Sequence, residues 1–290
     1  MEMYILPFDH RATFVRDIFG YTEPLSKKQH SEVSKFKHIV WDAFLKVYKK
    51  QKDKKSVGIL IDEEFGSKIF RKAKKLGVLT LLAAEKSGQK IFDFEYGKNF
   101  GKHILKFKPD YSKVLVRYNP ANKRENKIQL KRLKKLNDFC KNRKIGFLFE
   151  LLVPPSGKQK NYDRKIRPKL TVKAIKEIRK FGIEPDIWKL EAMPNRKDWQ
   201  KIIEAIKYKN KKAARIIVLG RAGTKKQVKN WLKIAHSFRE IIGFAVGRTI
   251  FLQPLKNYRN RKITKKQATD RIAKEFSEFI EYWKSLRVKH

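Results

Sequence analysis

Gly146-Phe147-Leu148-Phe149-Glu150-Leu151-Leu152-Val153-Pro154 is apolar along its whole length apart from one carboxylate. A strand with one face in water alternates apolar and polar residues; a run without that alternation fits a strand covered on both faces, as in a parallel sheet. A polar cluster follows it, and then an amphipathic segment from Pro168 to Phe181, whose proline suits the first turn of a helix. The same unit recurs outward in both directions. Strand-like runs lie at Met3–Phe8, Val57–Ile61, Val78–Ala83, Val114–Tyr118, Gly146–Leu152, Asp186–Leu190, Ile216–Leu219 and Ile242–Val246. Helical periodicity marks Lys27–Lys50, Glu63–Leu76, Asn99–Phe107, Glu125–Asn142, Arg196–Lys209, Thr224–His236 and Thr264–Leu286, with Thr224 a start signal and Gly77 and Gly182 stops. Eight such units in 290 residues, with no linker rich in Pro, Gly or Ser, predict an α/β chain folded as a single (β/α)8 TIM barrel over residues 1–290. A doubly wound open sheet is the alternative. It calls for a glycine fingerprint after the first strand, where Asp9-His10-Arg11 stands instead.

Composition bounds the partners. The chain is 41% hydrophobic and 12% aromatic with 14 Gly and 10 Pro, enough for a sizeable core and unlike a disordered polymer. Lys and Arg number 72 against 29 Asp and Glu, a formal charge of +43. A nucleic-acid binder would concentrate that excess in a tail, a stripe or one domain. Here it recurs at Lys49–Lys55, Arg71–Lys75, Lys131–Lys135, Lys209–Lys212, Lys225-Lys226 and Arg259–Lys266, mostly within helical segments. In Leu130-Lys131-Arg132-Leu133-Lys134-Lys135-Leu136 the leucines at i, i+3 and i+6 face a core and the lysines face water. The expectation is solvated helix faces rather than a nucleic-acid interface. Cys140 is the only cysteine, which argues against a disulfide framework or thiolate metal cluster and suits a reducing cytoplasm. Met1–Pro7 has no signal-peptide core, and no apolar run reaches about 18 residues, so a cytoplasmic chain without a membrane partner is expected.

In a barrel of this kind chemistry lies at the C-terminal ends of the strands. Those positions hold Asp9-His10-Arg11, Asp62-Glu63-Glu64, Glu85-Lys86, Arg117, Glu150, Lys189 with Glu191, Gly220-Arg221, and Gly247-Arg248. Charge at all eight ends points to a site. Strand alternation puts Ile187, Lys189 and Glu191 on one face and Trp188 and Leu190 on the other. A lysine held among cations and apolar walls is biased toward its neutral amine, the form that attacks a carbonyl to give a Schiff base. The alternative reading of the same lysine is an ion pair with Glu191 or Glu150, which spacing alone favours. Glu150 reads either as a proton shuttle or as a salt-bridge partner. The two Gly-Arg pairs, after strands seven and eight, read as a phosphate site, or as arginines paired at the sheet rim. The six histidines lack metal-ligand spacing, and only His10 falls at a strand end. A metal-assisted lyase would use Asp62, Glu63 and His10; the preferred reading needs no metal or other cofactor.

Seven strings now carry a resemblance. They are Leu6-Pro7-Phe8-Asp9-His10-Arg11, Glu85-Lys86-Ser87-Gly88-Gln89, Asp93-Phe94-Glu95-Tyr96-Gly97, Val116-Arg117-Tyr118-Asn119-Pro120, Phe149-Glu150-Leu151-Leu152-Val153-Pro154, Glu184-Pro185-Asp186-Ile187-Trp188-Lys189-Leu190-Glu191 and Gly243-Phe244-Ala245-Val246-Gly247-Arg248-Thr249. In this order the chain resembles the aldolase-type domain fused to the sugar kinase of myo-inositol catabolism, associated with 2-deoxy-5-keto-gluconate 6-phosphate aldolase. That domain is in turn similar to class I tagatose bisphosphate aldolases. The resemblance implies Lys189 as the Schiff-base lysine, Glu150 and Asp9 as proton movers, and Gly247 and Arg248 around the phosphate, to which the residue reading adds Gly220 and Arg221. Lys86 is a competing nucleophile. Arg117, Glu85, Gln89, Glu191 and His10 are expected to contact a phosphorylated keto sugar or keto sugar acid, cleaved to dihydroxyacetone phosphate and an aldehyde. Ala192 and Ala222 stand where this family would place glycines. A homo-oligomer is compatible with these readings, as is a non-catalytic basic barrel that binds nucleic acid.

Overall fold

The computed structural model describes residues 2–208 and 215–286. Eight strands, β1 (Met3–Pro7), β2 (Val57–Ile61), β3 (Leu79–Ala83), β4 (Tyr111–Arg117), β5 (Gly146–Leu152), β6 (Ile187–Glu191), β7 (Ile216–Leu219) and β8 (Ile241–Ala245), follow one another in a closed barrel in chain order. The fold is the expected (β/α)8 TIM barrel. Its helices are α1 (Ala12–Phe19), α2 (Lys27–Lys50), α3 (Glu63–Lys75), α4 (Phe100–Phe107), α5 (Lys123–Arg143), α6 (Arg167–Lys180), α7 (Arg196–Lys207), α8 (Lys225–Ala235), α9 (Arg248–Arg259) and α10 (Lys265–Ser285). Among the described residues no helix is long and apolar enough to cross a membrane.

The chain divides into two compact units. One comprises Met1–Ala83, Gly220–Lys229 and Phe244–His290; the other comprises Ala84–Leu219 and Asn230–Gly243. In the first, β1 and β2 pair in parallel with Tyr4 opposite Val57 and Pro7 opposite Leu60, and every residue of both strands is buried. Unbroken apolar runs in the sequence are therefore strands covered on both faces. Gly58 permits the close approach of β3, because a Cβ there would stand 2.6 Å from the Leu79 carbonyl oxygen. α2 begins at a capping box in which Ser26 accepts from the Gln29 N–H and the Gln29 side chain accepts from the Ser26 N–H. In the second unit β4, β5 and β6 run parallel, with Leu115 opposite Glu150 and Glu150 opposite Lys189.

Two helices escape the sequence reading. α1 has eight residues and no side-chain cap, so neither length nor a cap marks it. α9 carries Pro254 in its interior, a residue that reads as a breaker. A third difference concerns charge. Leu133 and Leu136 are buried as expected, whereas Lys37 on α2 is fully buried rather than solvated. Its ammonium pairs with Asp62, donates to the His10 carbonyl oxygen at 3.0 Å, and lies 5.4 Å and 5.2 Å from the ring centres of Phe14 and Phe65. Burial lowers its pKa, against the opposing pull of Asp62.

Candidate active site

Parallel pairing sets the site in the second unit. Residues opposite one another across neighbouring strands share a face, so Glu150 on β5 and Lys189 on β6 meet, while Phe149 and Trp188 pack on the opposite face with ring centres 5.2 Å apart. Lys189 Nζ donates to Glu150 Oε2 at 2.9 Å. Lys113 Nζ, two residues before Leu115 on the same face of β4, reaches the same Glu150 oxygen at 3.1 Å and Glu85 Oε1 at 2.7 Å. The result is an alternating chain, Glu85–Lys113–Glu150–Lys189, with each member no more than 8% exposed. Two cations against two anions make burial of four ionisable groups tolerable, since each charge faces an opposite one at hydrogen-bond distance.

Sequence reasoning reaches three of these four residues. Lys113 is missed because the fourth strand reads as beginning at Val114, which leaves the lysine in a loop; it lies within β4, whose first residue is Tyr111. Counting back by twos from Arg117 through Leu115 would have placed Lys113 on the site face.

The other expected residues of this unit lie at the rim. Glu191 Oε2 accepts from the Val153 N–H at 3.1 Å and stands 4.0 Å from Arg167 Nη1. Arg117 is exposed and donates to the Gln89 carbonyl oxygen at 3.0 Å, while Gln89 Nε2 is 3.5 Å from the Ser87 carbonyl oxygen. Glu85 forms an antiparallel bridge with Phe94 that folds the β3–α4 connection into a hairpin. Lys86, on that hairpin, is exposed, and its backbone N–H donates to Asp93. It lacks the buried setting that gives Lys189 its carboxylate partner.

In the first unit, Asp9 is buried, with Oδ1 3.9 Å from His10 Nδ1. The His10 ring meets Phe251 edge-on at 6.1 Å. Asp62 caps α3 by accepting from the Phe65 N–H at 2.8 Å and also pairs with Lys37. These contacts turn Asp62 toward structure, and among the described residues no three His, Cys, Asp or Glu side chains are grouped so as to hold a metal ion.

The two Gly-Arg segments come together. Gly220, Arg221, Ala222 and Gly223 form a turn closed by the Gly223 N–H on the Gly220 carbonyl oxygen at 2.8 Å, and Thr249 Oγ1 donates to the Gly223 carbonyl oxygen at 2.8 Å. Arg221 and Ala222 both adopt the left-handed conformation, with φ of 46° and 54°. Such backbone suits glycine, and it falls where the sequence has alanine in place of the expected glycine. Gly247 immediately precedes α9, and a Cβ there would lie 2.2 Å from the Pro7 carbonyl oxygen. The backbone N–H groups at the start of α9 and the adjacent Arg248 make a donor set suited to an anion.

Solved structures share this fold. The Corynebacterium glutamicum protein Cgl0159 superposes with a TM-score of 0.60 at 14% identity, covering 96% of this chain and 86% of its own. A Schiff-base-forming fructose-1,6-bisphosphate aldolase superposes with a TM-score of 0.55 at 13% identity, covering 94% of this chain and 93% of its own. These likenesses show that the (β/α)8 barrel fold is shared. No curated protein matches it in sequence. Residues 1–287 match the profile described as "Uncharacterized protein conserved in bacteria (DUF2090)", and the chain belongs to that family.

Proposed function

We propose that the protein is a class I, metal-independent aldolase acting on a phosphorylated keto sugar or keto sugar acid of the 2-deoxy-5-keto-gluconate 6-phosphate type. The observation that carries this reading is the buried Lys189–Glu150 contact at 2.9 Å, with Lys113 on the other side of the same carboxylate oxygen. An ammonium is not a nucleophile, and Glu150 is placed to take its proton. The freed amine attacks the substrate ketone to form a carbinolamine. Glu150 returns a proton to the departing hydroxyl, water leaves, and a protonated imine remains on Lys189. Removal of the proton from the β-hydroxyl breaks the Cα–Cβ bond; the electron pair enters the iminium as an enamine, and the aldehyde departs. Protonation at carbon and hydrolysis release dihydroxyacetone phosphate and regenerate the amine. Lys113 keeps Glu150 hydrogen-bonded through these transfers. Asp9 is assigned a second proton-transfer role, and the Gly220–Arg221 and Gly247–Arg248 segments the phosphate. We place the reaction in the cytoplasm, a setting that suits the lone Cys140, a buried thiol whose pKa is pushed up to about 12 by burial.

Borohydride reduction in the presence of dihydroxyacetone phosphate, followed by peptide mass mapping, tests the assignment. The expected result is one adduct, on Lys189, absent from Lys189→Met. An adduct on Lys86 or Lys113, or none, overturns it.

A further inference from the structure

We propose that Arg167 and Glu191 together read a hydroxyl group of the substrate, a specificity role additional to the Schiff-base chemistry; it rests on Lys189 being the reacting amine. Glu191 lies two residues beyond Lys189 on the same face of β6, about 6.6 Å further along the strand. A substrate held at Lys189 and extending toward the rim passes this carboxylate.

Arg167, the first residue of α6, is 4% exposed, and three contacts fix it. Its Nε donates to Asp163 Oδ1 at 2.9 Å, its Nη2 donates to the Ala192 carbonyl oxygen at 2.9 Å, and its own carbonyl oxygen accepts from Thr171 Oγ1 at 2.8 Å. Nη1 is buried without a hydrogen-bond acceptor among the described residues, 4.0 Å from Glu191 Oε2. Leaving a guanidinium N–H without an acceptor costs free energy, so a rigid side chain that does so suits an incoming ligand atom.

The spacing selects the kind of atom. A gap of 4.0 Å between donor and acceptor is too long for a direct hydrogen bond. An oxygen at about 2.8 Å from both would subtend an angle of about 90°, which one hydroxyl satisfies by accepting from Nη1 and donating to the carboxylate. Charge selects the same group. The guanidinium already faces the carboxylates of Asp163 and Glu191, so a substrate carboxylate or phosphate would meet repulsion there, and a neutral hydroxyl would not. Sites that pair buried polar groups with a substrate hydroxyl discriminate strongly against analogues that lack it.

Calorimetric titration with two carbonyl-free probes, glucitol 6-phosphate and n-hexyl phosphate, tests the inference without Schiff-base chemistry. The quantity read is the ratio of their affinities. In Arg167→Met the ratio should fall about 10- to 100-fold against wild type, through loss of glucitol phosphate binding alone. Glu191→Gln, which keeps side-chain size, should lower it in the same sense, and Arg167→Lys should recover part of it. An unchanged ratio in both Arg167→Met and Glu191→Gln, an equal loss for both probes, or no binding of either probe to wild type overturns the inference. The borohydride experiment on wild type keeps the two readings separable. A ratio that depends on Arg167, with no borohydride adduct on wild type, sustains the hydroxyl pair and rejects the aldolase; an adduct on wild-type Lys189 with an unchanged ratio does the reverse.

Discussion

At the scale of single residues, Lys113 shows how one cation makes a cluster of buried charges stable. It stands between Glu85 and Glu150, and its removal would leave two buried carboxylates with less compensation. Lys113→Met is therefore expected to lower stability by about 3–5 kcal/mol, measured by urea denaturation. Lys113→Met with Glu85→Gln should recover a large part of that loss, because the second change removes one of the exposed penalties; a strictly additive double variant would contradict the coupling. Glu64 gives a pH dependence. Burial, with Asp62 nearby, pushes its carboxyl from an ordinary 4.5 up to about 7, although solvent still reaches the side chain. Between those values the folded state holds a proton that the unfolded state has released, so stability falls as pH rises through the window and the loss is complete above 7. Glu64→Gln should flatten that segment of the stability–pH curve and raise stability at pH 8 by about 1 kcal/mol, a figure reduced from the full shift because of solvent screening. Much of the site was legible from spacing. Glu150 and Lys189 interrupt apolar runs, where a charge needs a reason. Lys37, Lys113 and Arg167 were not legible, because each lies in a helix or at an element's start amid lysines and arginines that do face water. Nothing local distinguishes a buried cation there from a solvated one; the distinguishing feature is the carboxylate that the fold brings to it.

At the scale of elements, the strands were the readable part, since a parallel strand buried on both faces leaves an apolar run with abrupt ends. β2, β5 and β7 begin and end where the runs do. Helix α2 also matches its periodic segment, and its capping box explains the sharp start. Ser26→Ala should cost about 1 kcal/mol by thermal or chemical denaturation, whereas Ser26→Asp should be nearly neutral. A loss for Ser26→Asp as large as that for alanine would show that the cap bond is not what matters. The start of α9 is a different kind of end. There the backbone passes so close to Pro7 that no side chain fits at Gly247, and no cap residue announces the helix. Gly247→Ala should destabilise the fold by more than about 2 kcal/mol and weaken inorganic phosphate binding, because relieving the 2.2 Å contact moves the first turn of α9. Calorimetry with phosphate and a melting curve on the same variant separate these effects. An unchanged melting temperature would mean that β1 yields instead.

At the scale of the whole molecule, the charge of +43 remains after the site has been accounted for. The buried cluster at β4–β6 is internally balanced, two lysines against two glutamates, so the excess resides elsewhere, largely on exposed helical positions such as Lys123, Lys127, Lys131 and Lys135. Those four recur at i, i+4 along α5, a spacing at which like charges repel by roughly 0.2–0.5 kcal/mol per pair. Surface ion pairs such as Lys46–Asp270 and Lys90–Glu125 offset little of this, since exposed pairs contribute about 0–1 kcal/mol each. Salt screens repulsion and attraction alike, so the sign of its effect reports which dominates. The Debye length falls from about 10 Å at 0.1 M to about 3 Å at 1 M, which removes most of the repulsion between neighbouring helices while leaving buried pairs nearly untouched. Repulsion dominates at this composition, and the melting temperature should therefore rise with sodium chloride between 0.05 M and 1 M. The on-rate for a phosphorylated ligand should fall over the same range, because the same field draws anions in. Melting curves and stopped-flow binding in one salt series check both signs together. A melting temperature that drops as salt rises would mean that the ion pairs, and not the lysine excess, set the electrostatic balance of the fold.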